Sequence, residues 1–174
     1  LPRSDASASV CRVDAGAAGS ATLIARGQAA RIRDDAGADA GADLLAGRVE
    51  LRAAAGIEGG ENDPGLEIEA TEFSAETLEG DITLANAAPA DATATSLSTG
   101  TGRIQVSQSG GHKLTVQSAT TRDGDIELSN VAGDLAVEAA TAGGAGNVTL
   151  TTTTSGHVQI GVVTAADDGT AFAT

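Results

Sequence analysis

Gly80-Asp-Ile-Thr-Leu84, Gly102-Arg-Ile-Gln-Val106, Gly124-Asp-Ile-Glu-Leu128 and Gly146-Asn-Val-Thr-Leu150 begin 22 residues apart, and each reads glycine, polar, apolar, polar, apolar. Alternation with period 2 after a turn glycine marks a half-buried strand. Ile82, Ile104, Ile126 and Val148 are expected to point inward, with Leu84, Val106, Leu128 and Leu150 behind them. A second family, His112-Lys-Leu-Thr-Val116, Gly133-Asp-Leu-Ala-Val137 and Gly156-His-Val-Gln-Ile160, recurs in phase with the first at steps of 21 to 23 residues. A meander of hairpins has no reason to hold two strand families to one period. One coil per repeat does, each strand pairing with its own copy in the next coil. The expected fold is therefore all-β: a parallel β-helix, or β-solenoid, with about 22 residues per coil and coils ~4.8 Å apart.

Outward from this stretch the period loosens. Alternating pieces continue at Leu66-Glu-Ile-Glu69, Arg48-Val-Glu-Leu-Arg52, Arg31-Ile-Arg33 and Ala21-Thr-Leu-Ile24. The Ala/Gly/Asp stretch from Asp34 to Asp43 reads as a protruding loop. Residues 1–46 are expected to form looser coils and this loop, and residues 47–174 the regular repeats of one continuous solenoid.

Composition fits a narrow interior. Twenty-three glycines suit frequent turns, while two Phe and no Trp, Tyr or Met exclude a thick core. The formal charge of −14 argues against a nucleic-acid groove and against anionic membranes. A single cysteine, Cys11, excludes an intrachain disulfide and a cysteine-based zinc site; as a small residue it is expected to be buried or half-buried. No apolar run approaches the ~20 residues that span a bilayer. The opening at Leu1, without Met, is expected of a piece processed or excised from a longer chain.

Gly56-Ile-Glu-Gly-Gly-Glu-Asn-Asp-Pro-Gly-Leu-Glu-Ile68, then Thr77-Leu-Glu-Gly-Asp-Ile-Thr-Leu84 and the later Gly-x-Val-x-Leu strands, resemble haemagglutinin-type repeats. Over roughly residues 47 to 164 the chain is similar to the filamentous haemagglutinin family and related two-partner-secretion exoproteins. The resemblance implies a right-handed β-helical shaft of a large bacterial exoprotein, located outside the cell or on its surface. Gly161 to Thr174 show no capping helix pattern, so end-to-end contact with copies of itself or with adjacent segments of a longer parent chain is expected, and a host or neighbouring-cell surface is a further expected partner.

Stacking converts each repeat position into a column. After the strand glycines come Asp81, Arg103, Asp125 and Asn147, where Arg103 is expected within salt-bridge reach of an aspartate. Asn86, Gln108, Asn130 and Thr152 form a column in which stacked amides bond coil to coil. Aligning the second family on its glycines brings His112, Asp134 and His157 together as a divalent-metal candidate; aligning it on its apolar residues gives Lys113, Asp134 and His157 instead. Glu61, Asn62 and Asp63, in the loop Gly59 to Gly65, are the calcium candidates. The calcium-binding nonapeptide of solenoids is not reproduced at Gly143-Gly-Ala-Gly-Asn-Val148, which has Val where the Asp ligand belongs. No other cofactor is expected.

A polysaccharide-active enzyme would need paired carboxylates or a cation and base in a groove. The acids here are spread over turns and outer faces, and Trp and Tyr platforms for sugar rings are absent. The Ser and Thr runs lack an accompanying His and Asp set. Thr149-Leu-Thr151 has no counterpart at Gln105-Val-Ser107 or Glu127-Leu-Ser129, which breaks the regular threonine array of an ice-binding face. The expectation is a non-catalytic shaft segment of a secreted or cell-surface filament or adhesin, with a self-associating or ligand-binding matrix module as the alternative.

Overall fold

The computed structural model describes residues 7–35, 41–60, 63, 65–166 and 169–174. Among these residues there is no helix; seventeen strands join in one continuous sheet system, and every pairing is parallel. The first face of the solenoid carries β1 (Ala8–Val10), β3 (Arg31–Asp34), β5 (Gly56–Glu58), β6 (Leu66–Glu69), β8 (Ile82–Asn86), β10 (Ile104–Gln108), β13 (Ile126–Asn130), β15 (Val148–Thr152) and β17 (Ala171–Ala173). The remaining circumference is covered by β2 (Val13–Ile24), β4 (Leu44–Ala53), β7 (Glu72–Thr77), β9 (Ala92–Thr99), β11 (Leu114–Val116), β12 (Ala119–Thr121), β14 (Leu135–Ala142) and β16 (Val158–Ala165).

The register bears out the repeat. Ile82 pairs with Ile104, Ile104 with Ile126 and Ile126 with Val148, at steps of 22 residues. Below Ile82 the column continues through Ile57, Ile32 and Ala8 at steps of 25, 25 and 24; above Val148 it ends on Ala171 after 23. These are about seven turns. From Ile32 to Val148 the column is fully buried, as are Leu84, Val106, Leu128 and Leu150 behind it. A column of this kind removes nearly all of each side chain from water, which is worth roughly 1.5–3 kcal/mol per aliphatic residue.

Three faces close the coil, where the sequence suggested two strand families. Beyond the second family's inward column, Val49, Phe73, Ala94, Val116, Val137 and Ile160, the chain bends and a third inward column follows: Leu51, Ala75, Leu97, Ala119, Ala140 and Val163. This third face escaped notice because three of its six inward residues are alanine, which contrasts little with the Ser and Thr alternating with it. Volumes trade along the columns, Phe73 stacking beneath Ala94, so a core poor in large residues still fills.

The glycine that opens each first-face strand is required by close approach. A Cβ on Gly102 would overlap the carbonyl of Gly80, one on Gly124 that of Gly102, and one on Gly146 that of Gly124. Gly80 adds a second constraint, a φ of 82°, which other residues adopt only with strain.

The looser lower coils have a specific geometry. Ile57 pairs with Ile82 and Leu66 with Leu84, so residues 58–65 stand where the coil above has Thr83 alone. The coil below carries its own insertion at the same corner, between β3 and β4. The next corner is shortened in compensation: five residues separate Ile68 from Phe73, against eight from Asn86 to Ala94. The period therefore rises only to 24 or 25 despite the insertions.

Candidate functional site

Polar residues at the turns of the upper coils bond along the axis. The Oδ1 of Asp81 accepts the Arg103 backbone N–H at 2.8 Å, Asp125 accepts that of Asn147 at 2.7 Å, and the Asn147 side-chain oxygen accepts that of Thr170 at 2.9 Å. The second family repeats the device: Asp91 accepts from Lys113 at 3.0 Å and Asp134 from His157 at 2.9 Å. The expected ion pair of Arg103 with Asp81 or Asp125 does not form. With those carboxylates bonded to backbone, the guanidinium donates to Gln105 Oε1 at 2.8 Å and lies 3.9 Å from Glu127.

The amide column is buried where the long corner begins. Asn86 bonds both the N–H and the carbonyl of Ala70 at 3.0 Å, and its amide nitrogen also donates to Gln108 Oε1 at 2.8 Å. Asn130 donates to the carbonyls of His112 and Asp134, both at 2.9 Å. In the lower coils the same column holds Leu44 and Ile68, and the five-residue corner that follows Ile68 is braced by Asn86 from the coil above.

A third polar column was not anticipated. Thr77, Thr99 and Thr121 are buried, and their hydroxyls donate to the carbonyl of Gly80, for the first two, and of Gly124, for the third, at 2.7–3.0 Å. Its signal was present in the sequence: the three threonines are 22 residues apart, each three before a strand glycine or its counterpart.

For the metal candidates, the register decides between the two alignments. Leu114 pairs with Leu135 and Leu135 with Val158, which places Lys113, Asp134 and His157 in one column and His112 one position away. His157 Nδ1 lies 3.4 Å from Asp134 Oδ1, and the backbone N–H of His157, then its ring, hold the exposed Asp134 carboxyl below its usual range. Among the described residues no three His, Cys, Asp or Glu side chains converge as a ligand set. Of the calcium candidates, Glu61 and Asn62 lie outside the described residues; the Asp63 N–H donates to the Gly60 carbonyl at 3.3 Å. Cys11, expected to be buried, is exposed in the turn between β1 and β2.

The most unusual electrostatic feature lies at the neck of the lower insertion. Asp34 and Asp43, at its two ends, are 4% and 2% exposed. Asp43 accepts the Glu67 N–H at 3.2 Å, while its own backbone bonds Glu67 above and Val13 below. Burial pushes the Asp43 carboxyl up to about 7; the Glu67 N–H opposes the shift, and the hydrogen-bonded Asp34 carboxyl and the Glu67 charge reinforce it. Two carboxyls joined by a hydrogen bond must hold a proton between them. The sequence placed both residues in a protruding loop; Asp34 instead ends β3, where it points inward with Ile32, and Asp43 is buried beside it.

The clefts on the surface are open. The cleft between Ala25, Arg26, Arg52, Glu76 and Leu78, about 350 Å³, contains Arg52 already paired with Glu50 at 2.9 Å and near Glu76 at 3.9 Å. The chain matches no protein-family model, no curated protein and no solved structure.

Proposed function

We propose that this chain is a non-catalytic shaft segment of a large secreted or cell-surface bacterial filament or adhesin. The observation that supports the reading is the direction of the polar bonds. Asp81, Asp91, Asp125, Asp134 and Asn147 all reach to the next coil, and the Asn86–Gln108 pair does the same inside. Polar groups that in an enzyme would converge on a cleft instead tie one level to the next, which suits a rod that carries axial load and separates the parts at its two ends.

The test is localisation together with a substrate panel. Antibodies against the purified chain should label the outside of intact cells of the source organism, at a distance from the envelope, and the chain should release no reducing ends or unsaturated products from acidic or neutral polysaccharides. Labelling confined to the cell interior would overturn the shaft reading. Turnover of any polysaccharide would overturn its non-catalytic part.

A further inference from the structure

Asp34 occupies a core position. Two residues after Ile32, it stands in the inward column that holds Leu84, Val106, Leu128 and Leu150 in the upper coils, with Val10 as its partner below. A carboxyl is costly to remove from water, so the stacking of an apolar column gives no reason to have one there. Asp43 meets it from the other end of the insertion, and the two buried carboxyls are hydrogen-bonded to each other.

The charges that bear on Asp43 are Asp34 and, across on β6, Glu67, both negative. The cations of the strands around the neck are placed elsewhere: Arg31 is 3.0 Å from Glu58, Arg48 2.9 Å from Glu72, and Arg12 3.7 Å from Asp14 in the coil below, while Arg33 is exposed on the outer side of β3. The other titratable groups nearby are Asp35 beside Asp34, Glu69 on β6 and Asp63 in the insertion one coil up, all acidic. When the shared proton leaves to solvent, the neck must hold two carboxylates beside Glu67 at sites shut off from water. Like charges so placed repel and call for hydration.

Hydration can be reached by parting a small set of bonds. The Asp35 N–H donates to Val10 at 3.0 Å, the Asp43 N–H to the Glu67 carbonyl at 2.9 Å, the Val13 N–H to the Asp43 carbonyl at 2.6 Å, and the Glu67 N–H to the Asp43 carboxyl at 3.2 Å. All four lie at the ends of the insertion, outside the first-face pairings of Ile32 and Ile57. Gly41 and Ala42, next to Asp43, form one wall of a groove of about 240 Å³ against Ile68, Ala87 and Ser109, so the state of the neck also sets the width of that groove.

We propose that Asp34 and Asp43 form a proton latch: while they share a proton the two ends of the insertion are held in the wall of the coil, and when it is lost the neck opens while the coils above stay stacked. This goes beyond the shaft reading and fails separately from it, since a neck that never opens would leave a shaft intact.

Amide hydrogen exchange followed by nuclear magnetic resonance across a pH series provides the test, with each rate divided by its intrinsic value at that pH. The closed neck keeps a proton up to about pH 7 and the open one releases it near 3.8, so opening is favoured as pH rises between these values. Protection of the Val13, Asp35, Asp43 and Glu67 amides should therefore fall by up to about tenfold per pH unit over that range and level off above it. The Ile104 and Ile126 amides should keep theirs. Asp43→Asn supplies permanently the donor that the proton supplies, and should hold the neck amides protected at pH 8; Asp34→Asn serves in its place if that variant does not fold. Neck protection that stays constant across the series in the wild type overturns the proposal, as does loss of protection at Ile104 and Ile126 in step with the neck, which would mean that the whole chain opens. A folded asparagine variant that keeps the wild-type pH dependence also overturns it.

Discussion

The coils below Gly80 and those above it close the same three-faced cross-section by different means. Below, the corner column is Leu44 and Ile68, insertions interrupt the first face, and the outer faces are laced by ion pairs from coil to coil, Arg31 with Glu58 at 3.0 Å and Arg48 with Glu72 at 2.9 Å. Above, glycine carbonyls, threonine hydroxyls and buried amides recur through successive coils, with aspartate caps at Asp81, Asp91, Asp125 and Asp134. A bond from a side chain to the backbone one coil away ties two levels at a set offset, which is 22 or 23 residues in the upper coils. An apolar column and flexible surface ion pairs demand much less, so the lower coils absorb seven-residue differences at single corners. Sequence regularity here measures how many of the locks are directional.

The sharpest way to break the contrast is at the glycine column. Gly102→Ala forces a Cβ into the Gly80 carbonyl and should cost about 3 kcal/mol or more, whereas Gly41→Ala, in the lower insertion, meets only the Arg12 guanidinium at 3.9 Å and should stay within about 0.5 kcal/mol. Urea denaturation of both variants checks this, and similar losses would mean that the upper stack is as tolerant as the lower. Next in size is the amide brace. Asn86→Leu leaves the buried N–H and carbonyl of Ala70 without their partner and should cost about 2–4 kcal/mol, since each orphaned buried group costs roughly 1–3 kcal/mol.

The two regions should also answer pH in opposite senses. Asp43 titrates near 7 in the folded chain and near 3.8 in the unfolded one. Between these values the folded chain holds a proton that the unfolded chain has released, so its contribution to stability is full below about 3.8 and lost as pH rises toward 7. Asp43→Asn should flatten that part of a melting-temperature profile. Asp134 in the upper coils is shifted the other way, so its small contribution is present at neutral pH and lost on acidification. The smallest effect belongs to Arg103→Ala. Its exposed guanidinium makes no close ion pair and its backbone N–H keeps Asp81, so the change should cost under about 1 kcal/mol in the same denaturation experiment.

The difference between the regions also explains what could be read beforehand. The first two faces of the upper coils were legible because Ile82, Ile104, Ile126 and Val148 are large, alternate with polar residues and keep one period. Their parallel register and the bonding of the amide column followed from that. The third face was hidden because Ala119, Thr120 and Thr121 offer no polarity contrast, and its threonine column was overlooked although it keeps the same 22-residue step. The role of Asp81 was misread for a different reason. Spacing locates a carboxylate beside a cation but does not show that a backbone N–H lies closer. The buried Asp34 and Asp43 pair brings together two ends of an insertion, and only the pairing of β3 and β4 with the coils around them makes those ends meet.

The claim on which all of this rests is that successive repeats stack in parallel and in register, and distances along one outer column test it most directly. Thr83, Gln105, Glu127 and Thr149 occupy that column in consecutive coils. Nitroxide labels on cysteine pairs at 83 with 105, 127 and 149, in a Cys11→Ser background, can be read by dipolar broadening. The separation should rise evenly, by ~4.8 Å per coil. A separation that fails to grow from 105 to 149, or alternates as it would in hairpins, would contradict the stacked solenoid.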